Sequence, residues 1–83
     1  MKRYWYRLCP ACDGQGRLFV EKKIEDESLF LLCDECFLAF NTPEEAVDVN
    51  NSQSGMDVQI VHASQKDIVN YGWSRYPLQE ATQ

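Results

Sequence analysis

The chain has 83 residues, with eight Lys and Arg against thirteen Asp and Glu, for a formal net charge of −5. Its hydrophobic fraction of 45% excludes a disordered tail, and its length allows one domain near the lower limit for folding on a core alone. So few cations disfavour a protein that neutralises nucleic-acid phosphates, and so small a domain calls for a staple: disulfides, a metal or a partner.

The N-terminal "MKRYWYRLCP" is basic and aromatic but lacks the roughly 7–15-residue apolar stretch of a secretory signal. The longest apolar run, "LFLLC" at 29–33, is too short to cross a bilayer. A cytoplasmic protein without membrane contact is therefore expected, in a compartment that keeps thiols reduced.

In chain order, "RYWYRL" at 3–8 predicts a strand, with Tyr4 and Tyr6 on one face and Trp5 on the other. "CPACDGQG" at 9–16 is turn chemistry: Pro10 fixes φ, while Gly14 and Gly16 are expected to supply positive φ where the chain doubles back. "RLFVEKK" at 17–23 and "LFLLC" at 29–33 predict two strands joined across the polar turn "EDES" at 25–28. That hairpin returns Cys33 beside the first cysteine pair.

"NTPEEAVDV" at 41–49 carries a helix start: Thr42 as cap, Pro43 at the first position and Glu45 closing a Thr-x-x-Glu box. Glu44 and Glu45 also suit the positive end of a helix dipole. This helix is expected to span two turns or fewer, since "VNNSQSG" at 49–55 reads as a loop. "MDVQIVH" at 56–62 predicts a strand, and "SQKDIVNYGW" at 64–73 a second helix with Ser64 as cap, Asp67 three residues on and Gly72 as its stop. Beyond Pro77, "LQEATQ" is expected to fray. The reading is one small α+β domain over 1–83. A cysteine-bearing antiparallel core covers 3–40, a helix–strand–helix extension covers 41–76, and a tail covers 77–83.

All four cysteines lie in two Cys-x-x-Cys pairs, Cys9/Cys12 and Cys33/Cys36, separated by twenty residues. Each such turn presents two sulfurs to one point, and the spacing is that of a tetrahedral structural zinc site. Tetrathiolate iron would accept the same ligands. With every position filled by sulfur, no site is left for a catalytic water. Four thiolates (−4) around one dication (+2) would take the formal −5 to about −7.

The cysteine spacing resembles the zinc-ribbon family, in which two knuckles on β-hairpins enclose one metal. The resemblance covers residues 3–40. The first knuckle, "CPACDG", keeps the small turn residue Gly14 that the motif favours, whereas the second departs from it, with "CDECF". Zinc ribbons serve transcription, translation and protein docking alike, so the fold chooses no function.

No other chemistry is legible. His62, the only histidine, is expected to be structural, and no nucleophile is available for it to activate. The acidic runs at 25–27 and 44–45 read as solvated faces, and there is no Gly-rich phosphate loop. The protein is therefore not expected to be an enzyme. Its aromatics, 12% of the chain, are expected mostly in the core, with some free to anchor a partner.

Three function classes remain: a nucleic-acid-binding ribbon, a protein-docking adaptor or regulator, and an inhibitor of a basic protein. The order "YWYRLCPAC…LFLLCDEC…NTPEEA…SQKDIVNYGW" resembles small acidic zinc-ribbon immunity proteins encoded beside bacterial polymorphic or contact-dependent growth-inhibition toxins. That resemblance implies a monomer forming a one-to-one complex with a basic toxin, commonly a nuclease, and blocking it by direct contact. The candidate contact residues are Glu25, Asp26 and Glu27 on the hairpin tip and Glu44, Glu45 and Asp48 on the first helix. Trp73 and Tyr76 join them as anchors if exposed.

Overall fold

A computed structural model describes residues 2–12, 15–53 and 59–82. Six strands form one antiparallel sheet: β1 (Lys2–Leu8), β2 (Arg17–Lys23), β3 (Leu29–Cys33), β4 (Ala39–Phe40), β5 (Ile60–His62) and β6 (Gln79–Thr82). The order is β4-β3-β2-β1-β6, and β5 also pairs with β2. Among the described residues, one α-helix, α1 (Gln65–Asn70), and 3₁₀ turns at Glu45–Val47, Val49–Asn51 and Trp73–Arg75 complete the α+β architecture. Among the described residues no helix is long and apolar enough to cross a membrane.

The hairpin β2–β3 is the centre of the sheet. Its register sets Leu18 opposite Cys33 and Val20 opposite Leu31, so these side chains share one face. That face is buried under Ala46, Ala63, Ile68 and Trp73, with Phe40 beside them and Tyr4 and Tyr6 of β1 packed at the margin. Each fully buried Leu, Val or Phe there contributes about 1.5–3 kcal/mol.

The opposite face is covered differently. Trp5 lies opposite Phe19, and Glu21 opposite Phe30. Over these residues lie cations rather than a helix: the Arg3 guanidinium 3.8 Å from the Phe19 ring centroid, Arg17 5.0 Å from Trp5 and Lys23 Nζ 5.7 Å from Phe30. Their alkyl stems shield the aromatics while the charges stay near water.

Local grammar is realised at the second helix. Ser64 Oγ accepts from the Asp67 N–H, and the Asp67 carboxylate accepts from the Ser64 N–H, closing the box. Gly72 stops the chain at φ 82, in the left-handed region that glycine adopts freely.

Three expectations change. The predicted helix at 41–49 folds instead as 3₁₀ turns. Thr42 Oγ1 does accept from the Glu45 N–H at 3.3 Å, but Asp48 is extended and its carboxylate takes the Asn50 N–H at 2.9 Å, competing with a continuous helix. Reciprocal bonds between Ala39 and Gln53, both 2.8 Å, then pull the chain back to β4 and leave no length for one. The C-terminal segment does not fray: β6 pairs Gln79 with Trp5 through to Thr82 with Lys2. It satisfies the outer edge of β1, which would otherwise present an open ladder, and Lys2 and Glu80 pair across it at 3.2 Å. The strand expected at 56–62 begins at Ile60; its residues 56–58 lie outside the described ones.

The capping box yields a stability test. The backbone N–H of Ser64 is the main cause holding the Asp67 carboxyl below its ordinary 3.8, with Lys22 Nζ 3.1 Å away adding to it. A depressed carboxyl contributes stability above its unfolded pKa and loses it as pH falls through the lower folded value. Denaturant melts should therefore show Ser64→Ala costing about 1 kcal/mol at neutral pH. For Asp67→Ala, the deficit relative to the natural protein should shrink at pH values below 3.8.

Candidate metal centre

Both cysteine pairs sit where strands end. β1 delivers Cys9 and β3 delivers Cys33, and a backbone bond closes the loop after each: the Cys9 N–H donates to Gly16 O at 2.8 Å, and the Cys33 N–H to Leu38 O at 3.0 Å. The loops are tied to each other at Arg17 and Asp34. The Arg17 N–H donates to Asp34 Oδ1 at 2.9 Å, and the Asp34 N–H to Arg17 O at 3.2 Å.

All four sulfurs lie within 4.8 Å of one another, with Cys9 Sγ 3.7 Å from Cys36 Sγ and Cys12 Sγ 3.5 Å from Cys33 Sγ. Tetrahedral bonds of about 2.3 Å, the zinc–thiolate length, would separate sulfurs by about 3.8 Å. The arrangement thus fits one ion held by four soft donors. The N–H groups of Glu35 and Cys36 both donate to Cys33 Sγ at 3.4 Å, fixing the sulfur's position in the knuckle. Cys9 and Cys33 are buried, Cys12 is half-buried and Cys36 exposed, so the ion would sit at the end of the sheet with one side toward solvent.

The free thiols compete for protons. Burial raises Cys9, and thiol contacts led by Cys36 raise Cys12. Burial works against the Cys36 thiolate, but the hydrogen bonds from Cys12, the Leu38 backbone, Cys33 and Cys9 together outweigh it and lower that group. A metal must displace these protons, so its binding weakens as pH falls.

Glycine matters here for space. Gly16 has no positive φ; the site needs it because a methyl group there would overlap Cys33 Sγ. Gly14 lies outside the described residues. Neither the Gly16 approach nor the Arg17–Asp34 tie was visible in the spacing, since each depends on how the loops meet.

The other expected site residues lie elsewhere. β4 runs antiparallel to β3, with Leu31 opposite Phe40, so the chain leaving Phe40 heads back toward Leu29, away from the cysteines. The tip residues Glu25, Asp26 and Glu27 lie on the turn between β2 and β3, at the opposite end of that hairpin from Cys33, and all three are exposed. Asp26 is fastened by Ser28, whose N–H and hydroxyl donate to it at 3.0 and 2.7 Å. Glu44 accepts from the Tyr76 hydroxyl, and Glu45 is half-buried against Thr42. Asp48 is exposed and occupied with Asn50.

Trp73 is only 5% exposed, its ring edge-on to Tyr71 and Tyr76 at 5.5 and 5.9 Å. It therefore fails the condition of exposure set for an anchor and belongs to the core. Tyr76 is half-buried, and Arg75 also donates to its hydroxyl, at 2.8 Å.

His62 is structural in a specific way: Nδ1 lies 2.8 and 2.9 Å from the two oxygens of Glu21, which is 1% exposed and also bound by Arg3 at 3.2 Å. The alternation of "RLFVEKK" places Glu21 on the Phe19 face, but its partners come from β1 and β5 and are invisible locally.

No protein-family model, curated protein or solved structure matches this chain.

Elemental analysis should find one metal ion per chain, and a chelator should unfold the protein, because tetrathiolate binding in small domains contributes roughly 10–16 kcal/mol. Cys9→Ser and Gly16→Ala should both lower metal content, the second by crowding Cys33. An unchanged circular-dichroism spectrum in chelator, with no metal found, would remove the site.

Proposed function

We propose that the ion is zinc, that the cysteine end is a zinc ribbon, and that the protein is an immunity protein that neutralises a basic toxin of the nuclease class by direct one-to-one contact. The observation carrying this reading is the end of the sheet remote from the cysteines. Glu25, Asp26 and Glu27 are exposed there, and among the described residues none of them forms an ion pair. The Ser28 hydroxyl lowers the Asp26 carboxyl and the Tyr76 hydroxyl lowers Glu44, so both stay ionised well into the acid range. A negative field of this kind steers a cationic partner and raises its association rate. A rigid sheet stapled by metal loses little entropy on docking.

The distribution of cations supports a protein partner over a nucleic acid. Lys2, Arg3 and Lys22 are in ion pairs, and Arg17, Lys23 and Arg75 lie over aromatic rings. Of the eight Lys and Arg, that leaves Arg7 and Lys66 without such an engagement. Duplex DNA or RNA should therefore bind no tighter than about 10⁻⁴ M at physiological salt, and a micromolar constant with a steep salt slope would favour the nucleic-acid reading.

Co-expression with the product of the adjacent gene is the decisive assay. The chain should protect cells and co-purify with that product one-to-one; equal killing with and without it ends the immunity reading. Glu25→Lys with Glu27→Lys is the cleanest charge reversal, since Glu44 and Glu45 also hold Tyr76 and Thr42. It should slow association about tenfold at low salt while leaving metal content and melting midpoint unchanged.

A further inference from the structure

A cavity of about 320 Å³ opens on the Phe19 face of the sheet, beside the second knuckle. Glu21 forms its deepest part, fixed between Arg3 and His62, while Leu32 and Ile60 line its sides and the exposed Asp34 and Phe37 form its rim. The volume is at the low end of small-ligand pockets, about 300–1,000 Å³, and suits a single side chain.

Phe37 is the least expected residue here. It is 65% exposed and sits at φ 60, in the left-handed region that residues other than glycine adopt rarely. The φ belongs to the turn, which closes from the Cys33 N–H to Leu38 O as the β2–β3 turn closes from the Lys23 N–H to Ser28 O around Glu27, also at φ 60, but the exposed ring serves no packing. An exposed aromatic in that conformation, on the rim of a cavity, is suited to a ligand that the isolated chain does not contain.

The groups on the wall specify the ligand's charge. Arg3 and Glu21 cancel, and Arg3 is further engaged with the Phe19 ring. His62 turns Nδ1 to the Glu21 carboxylate, leaving Nε2 out of that bond. Asp34 spends Oδ1 on the Arg17 N–H. With Arg3 set against Glu21, the pocket is left with the Asp34 carboxylate, a ring nitrogen and an aromatic face.

We propose that this pocket receives one Lys or Arg side chain of the protein partner, its stem against Leu32, Ile60 and Phe37 and its cationic head at Asp34 and His62. The proposal rests on the functional reading above only for the identity of the protein that carries that side chain. It places a specific contact near the metal knuckle, apart from the acidic tip that steers encounter.

The test uses the metal-loaded protein and ¹H–¹⁵N NMR, titrating Nα-acetyl-arginine amide and Nα-acetyl-lysine amide, with the norleucine and glutamate counterparts as controls. The cationic probes should shift the amides of Leu32, Asp34, Phe37, Ile60 and His62 with a dissociation constant on the order of 1–10 mM, the scale of one side chain. Asp34→Asn, which keeps an acceptor for Arg17, should weaken binding about threefold. Phe37→Gly should weaken it about threefold while holding or raising the melting midpoint, a combination that a structural role for Phe37 would not give. The proposal falls if norleucine or glutamate amide shifts the same residues as strongly, if neither cation shifts them, or if both variants bind as the natural protein does. Because no toxin is present, a positive titration stands even if co-expression fails, and a negative one leaves steering by the acidic tip intact.

Discussion

Everything in this small domain is tied to the register of one hairpin. Leu18 faces Cys33 across β2 and β3, and the Arg17–Asp34 bonds fasten the strands where both knuckles begin. Side chains alternate along a strand, so a slip of one residue would turn Cys33 to the opposite face along with Leu31 and Leu29. The apolar face and the sulfur cluster therefore depend on the same pairing. Burial of Leu18, Val20 and Leu31 selects the register, and a bound ion would lock it by joining β1 and β3 through the sulfurs.

A domain of this size cannot cover both sides of a six-stranded sheet with helices. It places α1 and the 3₁₀ turns over one face and covers Phe19, Trp5 and Phe30 on the other with Arg3, Arg17 and Lys23. This packing has an electrostatic consequence. The cations are held against rings or carboxylates, while Glu25, Asp26 and Glu27 on the turn are exposed and form no ion pair among the described residues. The acidic character of one end follows from how the opposite face of the sheet is shielded.

The sheet edges are managed with the same economy. β6 covers the outer side of β1, the Ala39–Gln53 bridge covers β4, and β5 takes the length of β2 that β1 does not reach. β5 also brings His62 to Glu21, which with Arg3 makes the burial of a carboxylate tolerable, since an unpaired charge there would cost several kcal/mol. The cavity beside this cluster is thus a by-product of closing an edge, and Phe37 on its rim is a large apolar side chain left mostly exposed.

Local signals were sufficient wherever the physics is local. The Cys-x-x-Cys spacing announced a four-sulfur site because each turn is its own bidentate unit, and Ser64, Asp67 and Gly72 marked their helix because capping involves neighbours in the chain. The strands of the hairpin were legible in their β-branched and aromatic runs. What the sequence could not determine depends on partners distant in the chain. The fate of Gln79–Thr82 depended on whether β1 had a free edge, and the 41–49 segment lost its helix to a bridge at Gln53. Trp73 became core only because α1 and the sheet close around it, and Gly16 proved necessary for its distance from Cys33 rather than for its φ. The sequence by itself determined the ligands, the caps and the charge. The tertiary structure decided which faces are covered and where that charge is left exposed, because burial and pairing are properties of the assembled sheet.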